Sequence, residues 1–147
     1  MYLRFFTIFL LALTVPAVAH GEEKGVKLQA QLVWGTDQPK PAGKNLKDIG
    51  APLSEKLRRV FKWKNYFEVS RQIIALPKQA GQRVKMSPKC ELEFSQCGPD
   101  ALEIKLFGEG KLVVKKRQPL VHGEPIVLAG DDKNDTAWFV VVQSIQE

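Results

Sequence analysis

Residues 137–142 read Ala-Trp-Phe-Val-Val-Val, with no polar residue on either face of an extended chain. Side chains alternate along a strand, so Ala137, Phe139 and Val141 share one face and Trp138, Val140 and Val142 the other. A strand apolar on both faces cannot sit at the surface of a single sheet. It must be central, with a second sheet on one side and another covering element, such as a helix, on the other. That requirement restricts the chain to a layered β architecture.

The preceding segments agree. Turn residues recur at Pro77 to Gly81, Ser87-Pro88, Cys97 to Asp100, Gly108-Glu109-Gly110 and Asp131 to Asp135. Between them lie short β-type runs at Cys90 to Ser95, Ala101 to Phe107, Lys111 to Lys116 and Ile126 to Ala129, ending in Thr136 to Ile145. Near the start, Val26, Leu28, Ala30, Leu32 and Trp34 alternate with Lys27, Gln29 and Gln31. Short strands at regular spacing predict an antiparallel sandwich or flattened barrel. Gly35 to Pro52, rich in Pro, Gly, Lys and Asp, is expected to be a long loop.

One helix is expected, over about 53–62. Leu53, Leu57, Val60 and Phe61 form its apolar stripe, with Ser54 as N-cap and Glu55 in the first turn. Past Trp63 the period changes to two. Phe67, Val69, Arg71, Ile73 and Ala75 then alternate with Tyr66, Glu68, Ser70 and Gln72. Trp63, Tyr66 and Phe67 are expected to anchor the helix on a sheet, in preference to forming a ligand platform. Four apolar residues suit docking on the protein's own sheet better than a membrane surface.

The first nineteen residues have the form of a secretory signal: Arg4, an apolar Phe5 to Val15, and Ala17-Val18-Ala19 as a cleavage site. The expectation is a single exported domain over 20–147, periplasmic or secreted, with a mobile arm at 20–25 and no transmembrane segment in the mature chain. Cys90 and Cys97 could not bond across one straight strand, since seven residues at about 3.3 Å each exceed disulfide reach. Cys90 is expected as a buried thiol beside Leu92 and Phe94, and Cys97 near a turn.

The formal net charge is +6, of which Arg4 contributes one. Lys44 to Lys64 holds seven basic residues against Asp48 and Glu55, and Lys105 to Arg117 holds five against Glu109. Such an excess suits an acidic protein, a cell-wall polymer or anionic lipid headgroups. Export and the lack of a binding motif argue against nucleic acid. The best contact candidates are Lys56, Arg58, Arg59 and Lys62, with Lys115, Lys116 and Arg117.

Catalytic signatures are missing from the sequence: HExxH, GxSxG, a P-loop, CxxC and GxGxxG do not occur. None of Ser54, Ser70, Ser87, Ser95 and Ser144 sits in a nucleophile context. A binding or accessory module without a cofactor is therefore preferred to an enzyme. The alternatives are a structural component of an envelope assembly and a copper protein. Cleavage after Ala19 would expose the amine and imidazole of His20, which with His122 could chelate Cu(II). Asp131, Asp132, Asn134 and Asp135 cluster oxygen ligands, but their spacing does not fit an EF-hand and suits a hairpin tip. Asn134-Asp135-Thr136 is also a glycosylation sequon, relevant only in a eukaryotic host.

Four stretches, LVWGTD at 32–37, FKWKNYFEV at 61–69, LFGEGKLVV at 106–114 and DDKNDTAWFVV at 131–141, carry a resemblance. They span nearly all of the mature chain, which resembles small exported bacterial β-rich proteins of unassigned function. The resemblance implies an envelope or secreted protein, and no activity transfers with it.

Overall fold

The computed structural model describes residues 25–130 and 136–145. Nine strands and one helix follow in the order β1 (Val26–Thr36), β2 (Lys47–Asp48), α1 (Ala51–Val60), β3 (Asn65–Leu76), β4 (Gln82–Ser87), β5 (Cys90–Gln96), β6 (Ala101–Gly108), β7 (Lys111–Pro119), β8 (Ile126–Gly130) and β9 (Thr136–Ser144). They form two antiparallel sheets, ordered β2-β3-β1-β9-β8 and β4-β5-β6-β7, stacked as an open sandwich. The mainly β expectation holds, and no closed barrel forms.

β9 lies between β1 and β8. Its Val140 and Val142 enter the main core with Leu28, Ala30 and Leu32 of β1, Ile74 and Leu76 of β3, and Leu92, Phe94, Leu102, Ile104 and Leu106 of the facing sheet. Phe139 and Val141 point the other way, into a second core closed by α1 through Leu53 and Leu57, with Val33, Trp63 and Tyr66. The strand is apolar on both faces because each face meets a different layer. Gly35 makes the helix side possible: a Cβ there would lie 2.8 Å from Trp63 Cδ1 and 2.9 Å from Phe139 Cε2.

The helix starts two residues before the expected position. Gly50 caps it at φ 85°, a conformation glycine adopts without strain, and Pro52 falls in the first turn, where its missing N–H costs nothing. Ser54 is inside the helix and donates its hydroxyl to the Ala51 carbonyl at 3.1 Å. The helix ends at Val60, which is 75% exposed, and Phe61 reaches Phe139 from extended backbone with ring centroids 4.4 Å apart. Arg58 secures the exit by donating to the Lys64 carbonyl at 3.1 and 3.3 Å.

A bulge at Val69 interrupts the expected alternation of β3. Leu32 pairs with Ser70 and Val33 with Glu68, so the side-chain parity reverses there. Tyr66 joins the helix-side core, Ile74 and Leu76 the main core, and Phe67 turns from the helix side to pack on Trp34 with centroids 6.3 Å apart. Trp63 and Tyr66 thus anchor α1 as expected, whereas Phe67 does not. β4 has no counterpart among the expected strands, and β2 forms within the expected long loop.

Cys90 is buried within the main core beside Leu92 and Phe94, and its thiol is free. Burial, with the negative charge of Glu91 as a lesser cause, pushes it up to about 11. Cys97 is also free and follows β5 at the opposite end. Among the described residues no helix is long and apolar enough to cross a membrane.

Candidate binding groove

The two basic stretches lie on different layers, and the fold brings part of each together. β7 edges the four-stranded sheet, and Lys116 and Gln118 alternate with Lys115 and Arg117 along it. Lys116 pairs with Ile104 and Gln118 with Leu102, both core-facing residues of β6, so these two side chains point inward past the open edge. Lys116 Nζ reaches the Val127 carbonyl of β8 at 3.3 Å, tying one sheet edge to the other. Beyond it, α1 presents Lys56 and Val60.

The result is a groove of about 590 Å³. Leu53, Leu57, Val60, Phe61, Pro125 and Val127 supply its apolar surface, while Lys56, Lys116, Gln118 and Glu124 supply polar groups. Of the seven basic candidates, only Lys56 and Lys116 line it. Arg58 is committed to the Lys64 carbonyl, and Lys62 sits 4.7 Å over the Trp63 ring. Among the described residues no carboxylate forms an ion pair with Lys56, Arg58, Arg59 or Lys62, although Glu55 lies on α1 itself and Glu124 lines the groove.

Lys115 and Arg117 behave differently. They face the outer side of the four-stranded sheet, 3.6 and 3.5 Å from Glu103. Glu93–Lys105 at 2.9 Å and Arg83–Glu91 at 3.1 Å continue this cross-strand charge ladder. Its lysines and arginines therefore meet carboxylates on their own sheet. Such exposed pairs contribute little to stability.

His122 is exposed in the β7–β8 loop, its Nδ1 3.4 Å from Ser144 Oγ. His20, its expected copper partner, lies outside the described residues, as do the segment expected to be a secretory signal and the cluster from Asp131 to Asp135. Among the described residues no three His, Cys, Asp or Glu side chains gather in a metal-ligating group.

A polar ring on the helix-side face of the five-stranded sheet gave no motif in the sequence. Buried Glu68 accepts from Gln31 at 2.8 Å and from Arg71 at 2.7 to 3.2 Å, and Arg71 also donates to Gln29 at 3.3 Å. Burial alone would raise the Glu68 carboxyl. The hydrogen bonds from Arg71 and Gln31, with the charges of Arg71 and Lys47, outweigh it and hold the group below the usual glutamate range. Only the Val69 bulge puts Glu68 and Arg71 on one face.

Fold and groove together define a two-sheet β-sandwich with one helix packed on its outer face and a basic-rimmed apolar groove along its open edge. No family model, curated protein or solved structure matches the chain.

Proposed function

We propose that the chain is an exported, non-catalytic binding module of the cell envelope that takes an acidic protein segment in the groove between α1 and β7. One observation carries this reading: Lys56 and Lys116, from basic stretches far apart in the sequence, meet at one concavity with an apolar floor. An acidic segment with an apolar side chain meets both demands, burying the side chain against Val60 and Val127 and setting carboxylates by the lysines. A flat anionic membrane uses such a concave floor poorly, because Val60 is the one large apolar side chain that α1 exposes.

The test is binding of a glutamate-rich peptide carrying a leucine, read by fluorescence anisotropy. Affinity should fall steeply with added salt. Lys56→Glu combined with Lys116→Glu should weaken it at least tenfold, and Val60→Ser severalfold. Unchanged melting temperatures would show that the Lys116 contact to Val127 is not the cause. Salt-insensitive binding, no effect of charge reversal, or preference for phosphatidylserine vesicles over the peptide would overturn the reading.

A further inference from the structure

The sandwich has open sheet edges, and the chain protects them unequally. An unpaired edge invites strand addition, and proteins blunt such edges with lysines, proline, shortness or cover. β4 carries Arg83 and Lys85. β7 carries Lys111, Lys115, Lys116 and Arg117 and ends at Pro119. β8 has only five residues, and the Lys116 ammonium occupies its Val127 carbonyl.

β3 differs. β2 covers it only at Phe67 and Glu68, where Asp48 and Lys47 pair. From Val69 to Leu76, VSRQIIAL, no strand among the described residues pairs with its outer edge, and the one hydrogen bond from this stretch to β4 is the Ser70 hydroxyl donating to the Met86 carbonyl at 2.7 Å. These eight residues span roughly 27 Å of strand. Arg71 is their one charged side chain, and Glu68 holds it at 2.7 Å. Val69 is 42% and Ile73 52% exposed. Where the segment leading into β2 leaves the ladder, a groove of about 420 Å³ opens, lined by Asn45, Lys47, Glu68, Val69, Ser70 and Arg71. Space for a further strand therefore exists at the start of the bare edge.

We infer that this edge is a dimer interface: β3 of one copy pairs antiparallel with β3 of a second across a two-fold axis, joining two five-stranded sheets into one. An antiparallel pair of identical strands is self-complementary, so one bare edge per copy suffices. The pairing supplies partners for the free backbone groups and covers Val69 and Ile73 in one step. Arg71 opposes it little, because Glu68 in the same copy offsets its charge. This interface lies away from the α1–β7 groove and does not depend on it.

Sedimentation equilibrium of the purified chain over a concentration series should show a monomer–dimer equilibrium. Each copy carries net positive charge, so salt should strengthen the dimer, the opposite of its effect on an acidic partner. Backbone amides of 69–76 should gain hydrogen-exchange protection as concentration rises. Ile73→Lys and, separately, Gln72→Lys should weaken the dimer at least tenfold while leaving circular dichroism and melting of the monomer intact, and Lys56→Glu should not weaken it. A wild-type chain that stays monomeric at all attainable concentrations overturns the inference. So does a dimer whose affinity both variants leave unchanged, or one formed without protection of 69–76.

Discussion

Glu68 shows how one residue ties local geometry to stability. Its carboxylate is buried, yet it satisfies the Gln31 amide and holds the Arg71 guanidinium. Glu68→Ala removes the acceptor and leaves Gln31 buried without it, at an expected cost of about 1–3 kcal/mol. Arg71 is half exposed and recovers water, which keeps the loss below that of a fully buried pair. The sign with pH follows from the lowered carboxyl. A group more acidic when folded contributes fully above the ordinary glutamate pKa of about 4.3, and that contribution is lost as pH falls through the lowered value. Urea unfolding of wild type and Glu68→Ala should therefore differ most near neutral pH and converge in acid. A difference constant down to acid would mean that Glu68 acts by packing alone.

Among the elements, α1 has the least freedom to be replaced. It closes the helix-side core through two buried leucines, while the rest of its surface is polar or exposed. Leu57 is 1% exposed, so Leu57→Ala should cost about 2–5 kcal/mol by the lost burial and the cavity left over Phe139 and Val141. Val60 lies on the same sequence stripe but outside the core, so Val60→Ala should stay within about 0.5 kcal/mol. Denaturant midpoints of the two variants check this contrast. Equal losses would mean that α1 packs through its whole stripe. The helical period was readable in the sequence, but which end of the stripe stays bare depends on the chain leaving α1 at Val60 to bring Phe61 and Trp63 down on the sheet. Nor does local pattern announce the β3 bulge: Phe67 and Ile73 fall on one face by simple alternation, and only pairing with β1 separates them.

The whole molecule is held by contacts distant in sequence. β1 pairs with β9, Leu28 opposite Ser144, so the central strands of one sheet come from opposite ends of the described chain. Loop-closure entropy must be met before those contacts form. Refolding should accordingly take milliseconds to seconds, the range of non-local β-sandwiches. Stopped-flow fluorescence of Trp34, Trp63 and Trp138 can follow it, and microsecond refolding would contradict the topology.

Several features follow from the order of residues alone. The doubly apolar β9 required two layers against one strand, the Cys90, Leu92 and Phe94 alternation placed the thiol in a core, and the basic runs marked α1 and β7. β4 was legible too, in Val84 and Met86 alternating with Arg83 and Lys85, but its brevity between two turns hid it. These are consequences of near-neighbour periodicity, which depends only on backbone geometry. Strand order, the Val69 bulge and the meeting of Lys56 with Lys116 are of another kind. They arise from which distant segments share a hydrogen-bonded edge or a packed face, and many pairings satisfy the same local periods. Packing of the complete chain chose among them, and with that choice it created the groove and left the β3 edge bare.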